Sequence, residues 1–284
     1  MAKLHHGSAE FQFRVLIFWP GGIGIPRSVF VELELLHKEP TYKETPMKVI
    51  QPNCRVQFTA ADVDFIVANL GRKTGDADCV TRLLSDPDTR DAILDEECLF
   101  HALLENRGCL TVSSHFYFYI LVRRVLRSSG IDDRVVADYV AEILAEYSNI
   151  ERSQCRVNGQ PLNYFFEMLL ALQRADDRNN FELRAHIGNH ALFITGVFPD
   201  RIRVRTEKRG FPDLRYFEGV GQASFRAASD HRLAARYELA GVFETLSDRF
   251  RTTRQALNDL SERLLAWEDD RYALPLLSSA KLID

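Results

Sequence analysis

Glu182, His186 and His190 stand at successive four-residue intervals, so a helix would stack one carboxylate and two imidazoles along a single stripe. Neutral imidazoles with a carboxylate suit zinc or iron, and these three residues form the first candidate site. The pattern is not that of a zinc-protease helix, because Ile187, Gly188 and Asn189 separate the histidines with no glutamate among them. Nor is it the Glu-x-x-His step of carboxylate bundles, since Glu182 to His186 and Glu97 to His101 are both steps of four. Cys98 and His101 could complete a ligand set only if the fold brings them near. In the competing reading one histidine hydrogen-bonds in the core and the others face solvent, and no cofactor is expected.

The second candidate is the basic run Arg201, Arg203, Arg205, Lys208 and Arg209, interrupted by one acid, Glu207. In an extended segment, alternation would put the first three guanidinium groups on one side, able to fork onto phosphate or carboxylate. That makes an anion or nucleic-acid binder a third functional reading. A formal net charge of -4 over the chain disfavours nucleic acid as a general partner, and pairing with acids of neighbouring helices would account for the run equally well.

Weaker signals have simpler explanations. Gly219-Val220-Gly221 lacks the preceding strand that a dinucleotide loop requires, and Gly21-Gly22-Ile23-Gly24 lacks the lysine of a phosphate loop. Ser113, Ser114 and His115 are adjacent, but sequence neighbours rarely meet as nucleophile and base, and serines at that position serve as helix caps. Cys79, Cys98 and Cys155 read as small buried hydrophobes. Phe116 to Tyr119 reads as core.

The elements that position these residues are helical. Asn179 to Asp200 has apolar residues around nearly its whole circumference, the mark of a helix inside a bundle. Gly188, Ala191 and Gly196 would let neighbouring backbones come close, and Phe198-Pro199 ends the segment. Upstream, Thr59 with Asp62 opens a helix that Phe58 and Val63 staple and Gly71 stops. Short helices follow near 76–84, 87–93 and 95–106, then a buried helix from His115 and an amphipathic one from Asp133 to Ser148. Residues 149–159 read as a linker, and Pro161 as the first-turn proline of the next helix. After the basic run come a helix over about 213–228 and two more between His231 and Trp267. The expected fold is all-α, an irregular bundle of about nine to eleven helices. Residues 1–46, with the Pro/Gly cluster from Trp19 to Pro26, read as an extension or accessory strand-and-turn segment. Met47 is the preferred start of the compact part, 47–268 is the helical domain, and 269–284 is a tail.

Composition bounds the function. With 284 residues, 46% hydrophobic and 27% charged, the chain has ordinary globular character. Its five cysteines (Cys54, Cys79, Cys98, Cys109, Cys155) form no CxxC pair, unlike a disulfide framework or zinc ribbon, which fits a reducing cytoplasm. No apolar run approaches the roughly 18 residues of a membrane span. The first functional expectation is therefore a soluble helical protein that acts through contacts with an unknown protein partner, without catalysis. The Glu182/His186/His190 metalloprotein is the alternative, and the anion binder comes third.

Overall fold

The computed structural model describes residues 49–74, 77–105, 112–148, 155–157, 160–162 and 165–265. Residues 1–46, the tail 269–284 and most of 149–159 lie outside the described residues. A 3-10 turn at Cys54–Gln57 leads into α1 (Ala60–Thr74), α2 (Ala77–Leu83), α3 (Pro87–Leu94), α4 (Glu97–Glu105), α5 (Ser114–Ser128) and α6 (Arg134–Tyr147). A small antiparallel hairpin, β1 (Cys155–Val157) and β2 (Gln160–Leu162), pairs Arg156 with Pro161. Then follow α7 (Phe165–Leu172), α8 (Asp177–Val197), α9 (Pro199–Arg209), α10 (Leu214–Ser229), α11 (Arg232–Arg236), α12 (Ala240–Asp248) and α13 (Phe250–Leu265). The fold is all-α. Among the described residues no helix is long and apolar enough to cross a membrane.

The thirteen α-helices among the described residues exceed the expected nine to eleven for two local reasons. The basic run is itself a helix, α9, with Pro199 in its first turn, where a missing N–H costs nothing. The stretch after His231 is broken where Glu238 takes a positive φ of 58°, which separates α11 from α12. Pro161, expected to open a helix, instead sits in β2; a two-stranded ribbon has only edges, where a residue without an N–H is tolerated. Gly71 does not stop α1, which continues to Thr74.

Short polar side chains start the helices where the sequence offers them. Asp86, Ser113, Asp133, Asp176 and Asp213 each accept a hydrogen bond from a first-turn amide, satisfying donors that a helix end leaves free. Asp176 caps the central helix α8, accepting from the Asn179 amide at 2.8 Å. At α1 the cap has a longer reach: Asp62, fully buried, accepts from the amide and hydroxyl of Thr59 at 2.6 and 3.0 Å and from the amide and hydroxyl of Ser113 at 2.6 and 2.7 Å. One carboxylate thus ties the start of α1 to the start of α5. The expected staple of Phe58 on Val63 does not form, because Phe58 packs edge-on against Phe116 and Tyr119, and Val63 is exposed.

The main hydrophobic core is continuous from Ile50 to Leu260, with a small satellite of Met168, Leu183 and Ile187 between α7 and α8. α8 runs through it, and small residues set its spacing. A Cβ on Gly188 would lie 2.7 Å from the Phe225 ring of α10, and one on Gly196 would lie 2.9 Å from Leu257 of α13. Gly221 of α10 returns the contact, since a Cβ there would meet the Phe250 ring at 2.5 Å and Ala191 at 2.8 Å. Tyr139 of α6 donates to Asn189 at 2.9 Å, and Asn258 of α13 donates to the carbonyls of Thr195 and Gly196 at 2.9 and 2.5 Å. A buried side chain thereby satisfies carbonyls that the end of α8 leaves open.

Charge is also carried inside. Arg55 reaches Asp91 at 2.9 Å and Asp138 at 3.0 Å; Arg134 pairs with Asp95 at 2.8 Å; Arg123, only 2% exposed, forks onto Asp95 and also meets Asp132. Burial opposes the charge of Asp95, but the Arg123 hydrogen bond and the charges of Arg123 and Arg134 prevail and lower its pKa. At Asp138 burial outweighs Arg55, and the pKa is raised.

Three substitutions test this packing. Asp62→Ala leaves four donors without their acceptor, and urea denaturation should show a loss of roughly 2 to 4 kcal/mol; a loss no larger than that of an exposed Asp88→Ala control would show that the tie contributes nothing. Gly188→Leu and Gly196→Leu should each cost roughly 1 to 3 kcal/mol through overpacking, whereas unchanged stability in both would place those glycines away from the helix contacts.

Candidate functional site

The predicted histidine stripe forms, but not as a three-ligand set. His186 and His190 lie on one face of α8 with ring centroids 6.3 Å apart, close to parallel. Tyr147, at the end of α6, stacks on His186 at 5.9 Å and tilts over His190 at 5.9 Å, and Phe165 of α7 covers His190 at 5.8 Å. The Tyr147 hydroxyl is 3.4 Å from both ring nitrogens of His186, a long contact shared too evenly to be a directed bond. Glu182 turns away: its buried carboxylate accepts from Arg178 Nε at 2.8 Å, one turn back. His101 pairs with Glu97 at 3.6 Å on the exposed side of α4, so Cys98 and His101 add nothing to the stripe. Among the described residues no group of three or more His, Cys, Asp or Glu side chains is placed to hold a metal.

An aromatic enclosure makes the imidazoles poor proton acceptors. Burial pushes His186 down to about 3, with the neighbouring His190 adding to the effect, and pushes His190 down to about 4. Both rings are neutral near pH 7.

Steps of three and four from His190 lead to Phe193 and Val197, so the same stripe turns apolar toward the end of α8. There it forms one wall of a narrow crevice with room for about 30 Å³, open to solvent at one side and lined mostly by buried residues. Phe118 of α5, Leu144 and Tyr147 of α6, and Leu257, Leu260 and Leu264 of α13 supply most of the rest. Two hydroxyls, of Ser148 and Ser261, are its polar features apart from the Tyr147 phenol. Nothing in the sequence marked this site, because its residues are core-type side chains at the ends of four helices. Tyr147 alone had a signal, extending the apolar stripe of α6 by one turn beyond Ile143 and Leu144.

The basic run takes a different geometry from the extended one that alternation would need. On helix α9, Arg201, Arg205 and Lys208 fall within about 60° of one another, at roughly 100° per residue, while Arg203 lies on the far flank and pairs with Asp200 at 3.1 Å. Arg201 sits over the Phe198 ring at 5.3 Å and Arg205 over Phe211 at 5.9 Å. Arg209 belongs to the last turn of α9; its side chain is outside the described residues.

Other candidates resolve as structure. Ser113 is the cap of α5, accepting from the Phe116 amide at 3.1 Å while donating to Asp62. His115 instead approaches Glu142 at 3.7 Å, where the fully buried Cys54 thiol donates at 3.1 Å and Gln57 at 3.2 Å. Burial, then the Glu142 carboxylate as acceptor and as charge, raise the Cys54 pKa far above the usual thiol range. It stays a protonated donor, the opposite of an activated nucleophile. Gly219 and Gly221 lie within α10, where Gly221 serves packing. Phe116 to Tyr119 are buried, as expected.

The histidine pair yields a pH prediction with a definite sign. Its folded-state pKa values are lower than the unfolded value near 6.5, so below that pH the unfolded chain binds more protons. Stability is complete above about pH 6.5 and falls toward pH 4, by on the order of 1 kcal/mol per ring once the partial water contact of these half-buried side chains is allowed for. His186→Gln with His190→Gln should flatten the dependence of melting temperature on pH in that window. The single variants should be nearly additive at pH 7.5 and carry no stoichiometric metal, measured without a polyhistidine tag; metal lost in both singles, with strong non-additivity, would reinstate the metal site. Compared with known proteins, the chain matches no family model, no curated protein and no solved structure.

Proposed function

We propose that this protein acts through contact with another polypeptide, without catalysis, and that the apolar crevice between α5, α6, α8 and α13 lies within the contact surface. The supporting observation is the character of the crevice: aliphatic and aromatic walls from four helices, hydroxyls as the polar groups, and the partly exposed Ser148 and Leu264 at its rim. The neutral histidines and Tyr147 extend one wall as a weakly polar aromatic surface. A reducing cytoplasm remains the proposed setting, since among the described residues Cys54 and Cys98 are both free thiols.

Photo-crosslinking tests the crevice. A photoreactive amino acid at either rim position, Ser148 or Leu264, should give adducts with the same polypeptide in cells, and one at the exposed Asp88 should not. Identical adducts from all three positions, or none from the rim, would overturn the proposal. An adduct of twice the chain mass would instead make the crevice part of an interface between two copies.

A further inference from the structure

Seven of the eight residues of α7 are apolar, yet Met168 is the only one that is buried. Its underside meets Leu183 and Ile187 of α8 in the satellite cluster, which is separate from the main core. Phe165 is the residue of α7 that packs on the main core: its ring lies 5.8 Å from that of His190 and stands edge-on to Phe217 at 5.2 Å. A helix held by one buried side chain and one aromatic contact can open locally without unfolding the rest.

The imidazole under Phe165 has no counter-ion. To the histidine pair α6 brings the Tyr147 phenol, and behind Phe165 α10 brings Phe217. Glu182, one turn before His186, is held by Arg178. Glu167 lies about 160° around α7 from Phe165, and Glu146 about 100° around α6 from Tyr147. His186 and His190 lie almost parallel on one stripe, so a proton on one ring opposes a proton on the other. A protonated His190 needs water that Phe165 keeps from it, and the aromatic faces return only part of the lost hydration.

We infer that the Phe165–His190 contact is an acid-sensitive latch: neutral His190 holds α7 against α8, and protonated His190 releases it, uncovering the apolar patch of Met168, Leu183 and Ile187. The device is separate from the crevice, whose share of α8 is Phe193 and Val197. With α7 docked, burial holds the His190 pKa down at about 4, against 6.5 for a freed ring. Docking is therefore complete above pH 6.5 and is lost progressively as pH falls toward 4. Between pH 7.5 and 5.0 this linkage favours the released form by about tenfold, after allowance for the partial water contact of the half-buried ring.

Hydrogen exchange of the full chain, read by mass spectrometry and corrected for the intrinsic effect of pH, tests the latch. From pH 7.5 to 5.0 the amides of α7 should lose about tenfold in protection, while those of α6 and α10 hold theirs. His190→Phe keeps an aromatic ring beneath Phe165 and removes the proton, so protection of α7 should become independent of pH. His190→Gln, neutral but smaller, should show the same independence from a lower starting protection. His186→Gln should keep most of the dependence, because Tyr147 rather than α7 covers that ring. Unchanged protection of α7 in the unmodified chain, a parallel loss in α6 and α10, or a dependence that survives in both His190 variants would overturn the inference. A dependence abolished by His186→Gln alone would overturn the assignment to His190.

Discussion

The backbone distance between α8 and its neighbours governs most of what surrounds it. Two glycines of α8 and one of α10 lie where a single added carbon would meet Leu257 or an aromatic ring of a facing helix. Those contacts fix the rotation of α8, because a helix pinned at Gly188 against α10 and at Gly196 against α13 has no freedom to turn about its axis. His186, His190, Phe193 and Val197 are thereby held toward the end of α6. The histidine pair and the crevice wall are two halves of one stripe, whose direction is set by two glycines, Gly188 and Gly196, that lie outside it.

Electrostatics plays a different part at the other end of the molecule. Asp62, Arg123 and Asp138 are almost completely buried, and burying charge stabilises a fold only weakly. What these groups supply is uniqueness. Asp62 accepts from two helix starts at once, and the chain of pairs from Asp138 through Arg55, Asp91, Arg134 and Asp95 to Arg123 joins the 3-10 turn, α3, α5 and α6 in one arrangement. Slipping any of these elements by a turn would strand a buried charge.

Helix class and most boundaries were legible because they rest on local chemistry. Asp86, Ser113 and Asp133 cap where their spacing implies, and Phe198-Pro199 ends α8 where the proline demands. The misreadings share a cause, which is tertiary context deciding between locally acceptable options. RIRVRTEKR alternates like a strand, yet Ile202 is buried and Pro199 starts a helix. Pro161 is as acceptable in a hairpin edge as in a first helical turn. Of the candidate sites, the proximity of His186 and His190 was readable from spacing, but the turning away of Glu182 depended on Arg178 lying one turn back. The crevice was invisible because leucines and phenylalanines at helix ends look the same in sequence whether they meet a neighbour or line a cleft.

Asn258 bears on how the crevice can behave. Its amide holds the last carbonyls of α8, and it sits on α13 between Leu257 and Leu260, which face the cleft. If α13 peels away, the crevice loses a wall and α8 loses its terminal hydrogen bonds in the same event. The crevice and the end of α8 therefore depend on a single packing contact, that of α13, the last described helix, against α8.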